Sequence, residues 1–132
     1  MPETRDFHIG DILSVTTGLL VSPRHIQGVY DILNWMTGDN LFTHQLPRAS
    51  DECRDPLLRQ HPDLAGVRTP DEFTGEEHVR AWLAEQVKRF GETRPVAPLA
   101  PVDHTRIDPI DEMRMIAPHV PIIGVEVEDD RG

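Results

Sequence analysis

Hydrophobic and polar positions alternate along this chain with periods that predict helices first and strands second. Ile26, Val29, Tyr30, Leu33 and Met36 recur at three-and-four spacing, with Ile32 and Trp35 widening the stripe. That is the signature of a core-facing helix. Ser22 followed by Pro23 predicts its start, the serine as N-cap and the proline at the first helical position, and Gly38 predicts its end, so the helix is read over 23 to 37. Gly28 inside it costs about 1 kcal/mol relative to alanine, which marks close approach of another backbone. A second helix is predicted over 75 to 90, Thr74 capping it in a capping box with Glu77 and Val79, Trp82, Leu83, Val87 and Phe90 forming its apolar stripe. Glu76 with Arg80 and Glu85 with Arg89 lie at the supportive i,i+4 spacing, and Gly91 stops the helix.

The remaining segments are shorter. Residues 1 to 6 are polar and read as loosely held; Ile9, Ile12 and Leu13 predict a helix from about Gly10 to Gly18, followed by an extended segment at Leu19 to Val21. Leu46 and Pro47 lead into a helix over 48 to 54, which Pro56 breaks and restarts through Arg59. Residues 61 to 73 read as connecting loop. Pro95, Pro98 and Pro101 leave an edge strand or a polyproline-like strap, and Asp108 with Pro109 repeats the cap-and-proline signature before a helix through Met113 and Ile116, ended by Pro118. Ile122, Ile123, Val125 and Val127 form the best strand candidate, and 128 to 132 read as a frayed end. The sum is an α+β single domain over 1 to 132, mostly helical, with the two long helices packed together and a small sheet pairing 121 to 127 with 94 to 98 or 19 to 21.

Composition narrows the function classes. The 132 residues carry 13 basic and 23 acidic side chains, a net charge of -10, which argues against binding nucleic acid or anionic membrane directly and suits a basic protein partner. One cysteine, Cys53, excludes an intrachain disulfide and a multi-cysteine metal site; a buried, inert thiol is expected because Asp51 and Glu52 would raise its pKa. No segment approaches the roughly 20 apolar residues of a membrane span, and the N-terminus lacks the basic and apolar regions of a signal peptide. A cytoplasmic protein is expected. Arginine outnumbers lysine twelve to one, a bias that reads as genomic base composition.

The densest set of functional side chains follows the first long helix: Asp39, Asn40, Phe42, Thr43, His44, Gln45 and Arg48. As a catalytic constellation, His44 would be the general base, Asp39 or Gln45 its orienting partner, and Arg48 the holder of an anionic substrate. As a recognition surface, Asp39, Asn40, Phe42, His44, Gln45 and Arg48 would contact a partner, with Trp35 and Phe42 as anchors. As plain structure, a turn between helices uses such residues to cap helix ends. Recognition is preferred over catalysis. Asp103, His104 and Asp108 share a loop that could hold an ion, but His104 is read as a surface residue and Asp108 as a helix cap; no metal site and no cofactor is expected. Glycine-rich phosphate loops, a GxSxG elbow and a Walker lysine are absent.

The segments FHIGDILSVTTG, GVYDILNWMTGDNLFTHQLPRASDEC and HTRIDPIDEM resemble those of small uncharacterised proteins encoded by bacteriophages and prophages. The likeness covers the first half of the chain and, more loosely, its last third. That family has no assigned activity, so it carries no catalytic residue onto this chain. What it implies is context: a non-enzymatic acidic binding protein in a bacterial host, acting as an inhibitor of a nucleic-acid-handling or defence complex such as an anti-CRISPR. The four acidic clusters, at 51 to 55, 71 to 77, 108 to 112 and 126 to 130, would either imitate a nucleic-acid backbone or simply solvate the surface and favour helix N-termini. An interaction subunit of a larger assembly is the remaining alternative.

Overall fold

The computed structural model describes residues 3 to 100, 102, 104, 105 and 107 to 116. The architecture is α+β and mostly helical, in the order β1 (Arg5–His8), α1 (Ile9–Thr17), α2 (Ile26–Thr37), a 3-10 turn at Thr43–Gln45, α3 (Leu46–Gln60), a 3-10 turn at Pro62–Gly66, α4 (Glu76–Phe90), β2 (Thr93–Val96) and α5 (Pro109–Ile116). The expected strand at 121 to 127 lies outside the described residues.

The centre of the core is α1 rather than the longer α2. Every residue from Ile9 to Val15 is buried, and α1 packs against α2, α3, α4 and β1. A nine-residue helix can serve this role because its apolar run leaves it no solvent face to keep wet. The expected pairing of the two long helices is therefore replaced: α4 packs on α1 through Leu83, and α2 on α1 and α3 through Val29, Ile32, Leu33 and Met36. Ile26, counted in the apolar stripe, is 42% exposed.

The sheet is an antiparallel pair with Arg5 opposite Val96 and His8 opposite Thr93, so the proline-bearing segment is an edge strand, as its composition predicts, and its partner is residues 5 to 8. Arg5 and Asp6, expected to be loose, are thus strand residues. Leu19 to Val21 is not a strand in this sheet. Trp35 ties the ribbon to α2, its indole Nε1 donating to the Val96 carbonyl at 2.8 Å. That bond makes Trp35 a structural residue instead of an anchor for a partner.

Two predicted helix starts move. Residues 23 to 25 form a turn, and α2 begins at Ile26: Ser22 Oγ accepts the Arg24 N–H as a cap would while donating to Asp11, but His25 takes φ 57°, ψ -140°, outside the helical region, and interrupts the helix there. Thr74 does not cap α4; its N–H donates to His78 Nδ1, and Gly75 is the N-cap. Pro56 does not divide α3. The ring removes one backbone bond, but Leu46, Ala49, Cys53 and Leu57 form one uninterrupted buried stripe along the helix, and that burial outweighs the loss. Residues 61 to 73, read as loop, contain a 3-10 turn that buries Leu64.

Candidate functional site

Gly38, at φ 68°, closes α2 in the left-handed conformation, and the residues after it satisfy one another. The Leu41 N–H donates to Asn34 Oδ1, the Asn40 N–H to Asp39 Oδ1 and the Phe42 N–H to Gln45 Oε1. The turn then winds through Thr43–Gln45 into α3, which sets Arg48 and Glu52 one helical turn apart on the face that meets His104, Thr105 and Glu112. There the polar side chains find their partners.

Arg48 forks onto Glu112, Nε reaching Oε2 and Nη2 reaching Oε1, both at 2.8 Å. Its Nη1 also donates to Glu52 Oε2 at 2.8 Å and to the Thr105 carbonyl at 2.6 Å. Gln45, 2% exposed, donates through Nε2 to the Ile107 carbonyl and to Glu112 Oε1. His44 Nε2 donates to the Pro109 carbonyl at 2.6 Å. The Arg48 fork holds the Glu112 carboxyl below its usual pKa, against the opposing effect of burial and with help from Gln45, and Glu112 in turn raises Arg48.

His104 is a bridge whose side chain is only 4% exposed, correcting its reading as a surface residue. Its Nδ1 lies 2.6 Å from Glu52 Oε1 and its Nε2 3.2 Å from Asp39 Oδ2. Asp108 caps α5 as expected, its Oδ1 accepting from the Ile110 N–H at 3.0 Å. Because Glu52 and Asp39 approach different ring nitrogens, they do not converge on one point where an ion could sit. Among the described residues no group of three or more histidine, cysteine or acidic side chains could hold a metal.

Asp39, His44, Gln45 and Arg48 all meet the segment that carries α5, and together they form a seat for that helix. The catalytic arrangement is not assembled: Asp39 meets His104 and not His44, His44 bonds a backbone carbonyl, and the donors of Arg48 are spent on Glu112, Glu52 and Thr105. Asn40 and Phe42 remain exposed. Cys53 is buried, and burial, aided by Glu52, pushes its thiol up to about 12.

Two features escaped the sequence. The first is a charge network threaded into the core: Asp11, with no exposed surface, accepts from Ser22 Oγ at 2.5 Å and Arg24 Nη2 at 2.6 Å, and Arg24 and Arg5 both reach Asp31. Gly28 lies against it, where a Cβ would collide with Ser22 Oγ and the Asp11 carboxylate. The sequence signals were a lone carboxylate within the apolar run 9 to 15 and Gly28, whose close neighbours are these side chains and not the expected backbone.

The second is an apolar surface. Leu19, Leu20 and Ile26 are 40%, 49% and 42% exposed and line an open groove of about 430 Å³ with Pro47, Asp51 and Arg54. Leu20 also lines a smaller groove of about 230 Å³ with Pro23, His25, Glu76 and Leu83, so the two share a wall. His25, the one non-glycine residue with positive φ among those described, sits in it.

Residues 7 to 67 match the family model described as Domain of unknown function (DUF7736). The matched region contains α1, α2, α3, the Asp11 network apart from Arg5, and the whole lining of the larger groove, and excludes α4, β2 and α5. No curated protein and no solved structure matches this chain. Among the described residues no helix is long and apolar enough to cross a membrane.

Proposed function

We propose that this is a non-enzymatic acidic binding protein that meets a protein partner through the surface around Leu19, Leu20 and Ile26. The observation that supports this most is the grouping of three large aliphatic side chains, each 40% or more exposed, on two grooves that share a wall. Clustered exposure of this kind marks interaction sites. His25 adds to it: a strained backbone persists where surrounding structure holds it, and such positions concentrate at functional surfaces.

The partner carries a basic surface. The net charge is -10, and exposed acidic side chains flank the grooves, Asp51 and Asp55 on α3 and Glu76 and Glu77 at the start of α4. Arg54 pairs with Asp51, and Arg80 and His25 with Glu76, so the flanks are partly neutralised within the chain. An acidic chain with an apolar centre suits blocking a nucleic-acid-binding groove, and a phage-encoded inhibitor of a host nucleic-acid-handling or defence complex is the biological role proposed. The experiment is affinity capture from a bacterial lysate at graded salt, wild type beside Leu20→Asp with Ile26→Asp. A partner recovered only by the wild type, less so at high salt, is expected; recovery of none at any salt rejects the reading.

A further inference from the structure

A third groove, open and of about 510 Å³, is lined by Gln27, Tyr30, Asn34, Asn40, Phe42 and Thr43, and the buried Leu41 completes it. In a chain of which 27% is charged, none of these side chains carries a charge. We propose that this groove binds a short extended peptide segment of the partner, its main chain paired by the amides of Gln27, Asn34 and Asn40 and one of its side chains packed on Phe42. The proposal rests on the reading above that the chain meets a protein partner, and adds how that partner is held.

The amides carry the argument. Gln27, Tyr30 and Asn34 stand at i, i+3 and i+7 and so share one face of α2. Asn34 is oriented by its Oδ1, which accepts the Leu41 N–H at 3.0 Å, while its Nδ2 has no hydrogen-bond partner among the described residues. The side-chain amides of Gln27 and Asn40 make no hydrogen bond among those residues either. A primary amide offers one donor group and one acceptor, as a peptide group does, so it pairs with main chain whatever side chains a segment carries. Seven positions along a helix cover about 10 Å, the rise of about three residues of extended chain. The neutral lining gives a charged group no counter-charge, so the stretch that lies here is uncharged.

Phe42 supplies the anchor. It is 57% exposed, yet its backbone is fixed from behind: its N–H donates to Gln45 Oε1 at 2.9 Å, and Gln45 is held by the Ile107 carbonyl and Glu112. A ring presented on a fixed backbone loses little freedom when a partner packs on it. The groove also continues the surface already proposed for the partner. Thr43 lines both this groove and the larger apolar one, the adjacent residues Ile26 and Gln27 divide between them, and the Thr43 hydroxyl shares a hydrogen bond with that of Tyr30. That continuity favours a segment of the same partner over a separate small molecule.

The test screens the full chain against a library of short random peptides and measures the enriched sequences by fluorescence anisotropy. The expected result is peptides with a central uncharged stretch, in which methylating single peptide N–H groups, side chains unchanged, weakens binding about ten-fold at alternating positions. Asn34→Asp keeps the oxygen that accepts from Leu41 and removes only the Nδ2 donor, and Gln27→Glu likewise keeps its shape. Both add negative charge, which attraction to a basic ligand alone would turn into tighter binding; main-chain pairing predicts binding about ten-fold weaker in each, and in Phe42→Ala. Unchanged or tighter binding in both acidic variants, with helical circular dichroism retained, overturns the proposal, as does a wild type that enriches no peptide. A doubling of mass by light scattering that Phe42→Ala abolishes would assign the groove to a second copy and overturn it too. Should a variant misfold, the methylation series decides alone. Capture of a lysate partner that Leu20→Asp with Ile26→Asp abolishes, alongside failure of these measurements, would leave the binding surface standing and remove only this groove.

Discussion

Arg48 on α3 and Glu112 on α5 meet in a two-pronged bond, both contacts at 2.8 Å, between positions 64 residues apart. This pair explains why the residues with the most chemical promise after α2 are not free to do chemistry. A planar guanidinium matches a carboxylate in two places at once, which fixes orientation as well as distance. Arg48→Lys should therefore behave nearly as badly as Arg48→Ala, because one ammonium cannot serve Glu112, Glu52 and the Thr105 carbonyl together. Urea unfolding of the two variants, compared in midpoint, checks it.

Acid should weaken this contact in a definite direction. Glu112 is depressed below its ordinary 4.5 in the folded chain, mainly by the Arg48 bond. A depressed carboxyl contributes stability that is fully present above its unfolded value and is lost as pH falls through its folded value. The stability difference between wild type and Glu112→Gln should hold constant above about pH 5.5 and shrink below 4.5. Asp63, lowered by its Arg94 partner, acts in the same sense, so Asp63→Asn should show a smaller effect of the same sign, screened by its half-exposed position. A difference that grows on acidification would contradict both assignments.

Gly28→Ala tests the buried network. In an exposed helix this change gains about 1 kcal/mol. Here the added Cβ collides with Ser22 Oγ and the Asp11 carboxylate, and the loss should exceed the gain, for a net destabilisation of about 2 kcal/mol. Gly66→Ala, which meets nothing within 4 Å, is the control and should stay within about 0.5 kcal/mol of wild type.

His25→Gly tests the strain in the smaller groove. Glycine adopts φ 57° without the steric cost that histidine bears, so the variant should be more stable by about 1 kcal/mol. If binding uses the held conformation of His25, partner capture should fall although stability rises. Equal or lower stability would show that the Glu76 contact of His25, at 3.3 Å, outweighs the backbone cost.

Much of this architecture was legible in the chain because local rules decided it. Gly18 and Gly38 end their helices in the left-handed conformation, Asp108 and Pro109 open α5, and prolines keep β2 at an edge. Where reading failed, a distant partner had won. Ser22 accepts the Arg24 N–H as a cap would, but His25 breaks the turn it starts, and Pro56 looks like a break but sits on a helix held by four buried side chains. The candidate site shows the same division. Asp39, His44, Gln45 and Arg48 stand close together in the sequence, yet their partners on the segment that carries α5 are 57 to 67 residues away, where no periodicity reaches. Leu19 to Val21 was read as a brief extended segment, and the exposure of Leu19 and Leu20 was not foreseen because hydrophobicity alone does not say whether an apolar side chain is buried.

The docking of α5 on Arg48 is most directly tested by hydrogen exchange of wild type and Arg48→Ala, read peptide by peptide. The expected result is loss of protection across Pro109–Ile116 and the 3-10 turn at Thr43–Gln45, while α1 and the buried half of α3 stay protected. Unchanged protection of Pro109–Ile116 in Arg48→Ala would contradict the account.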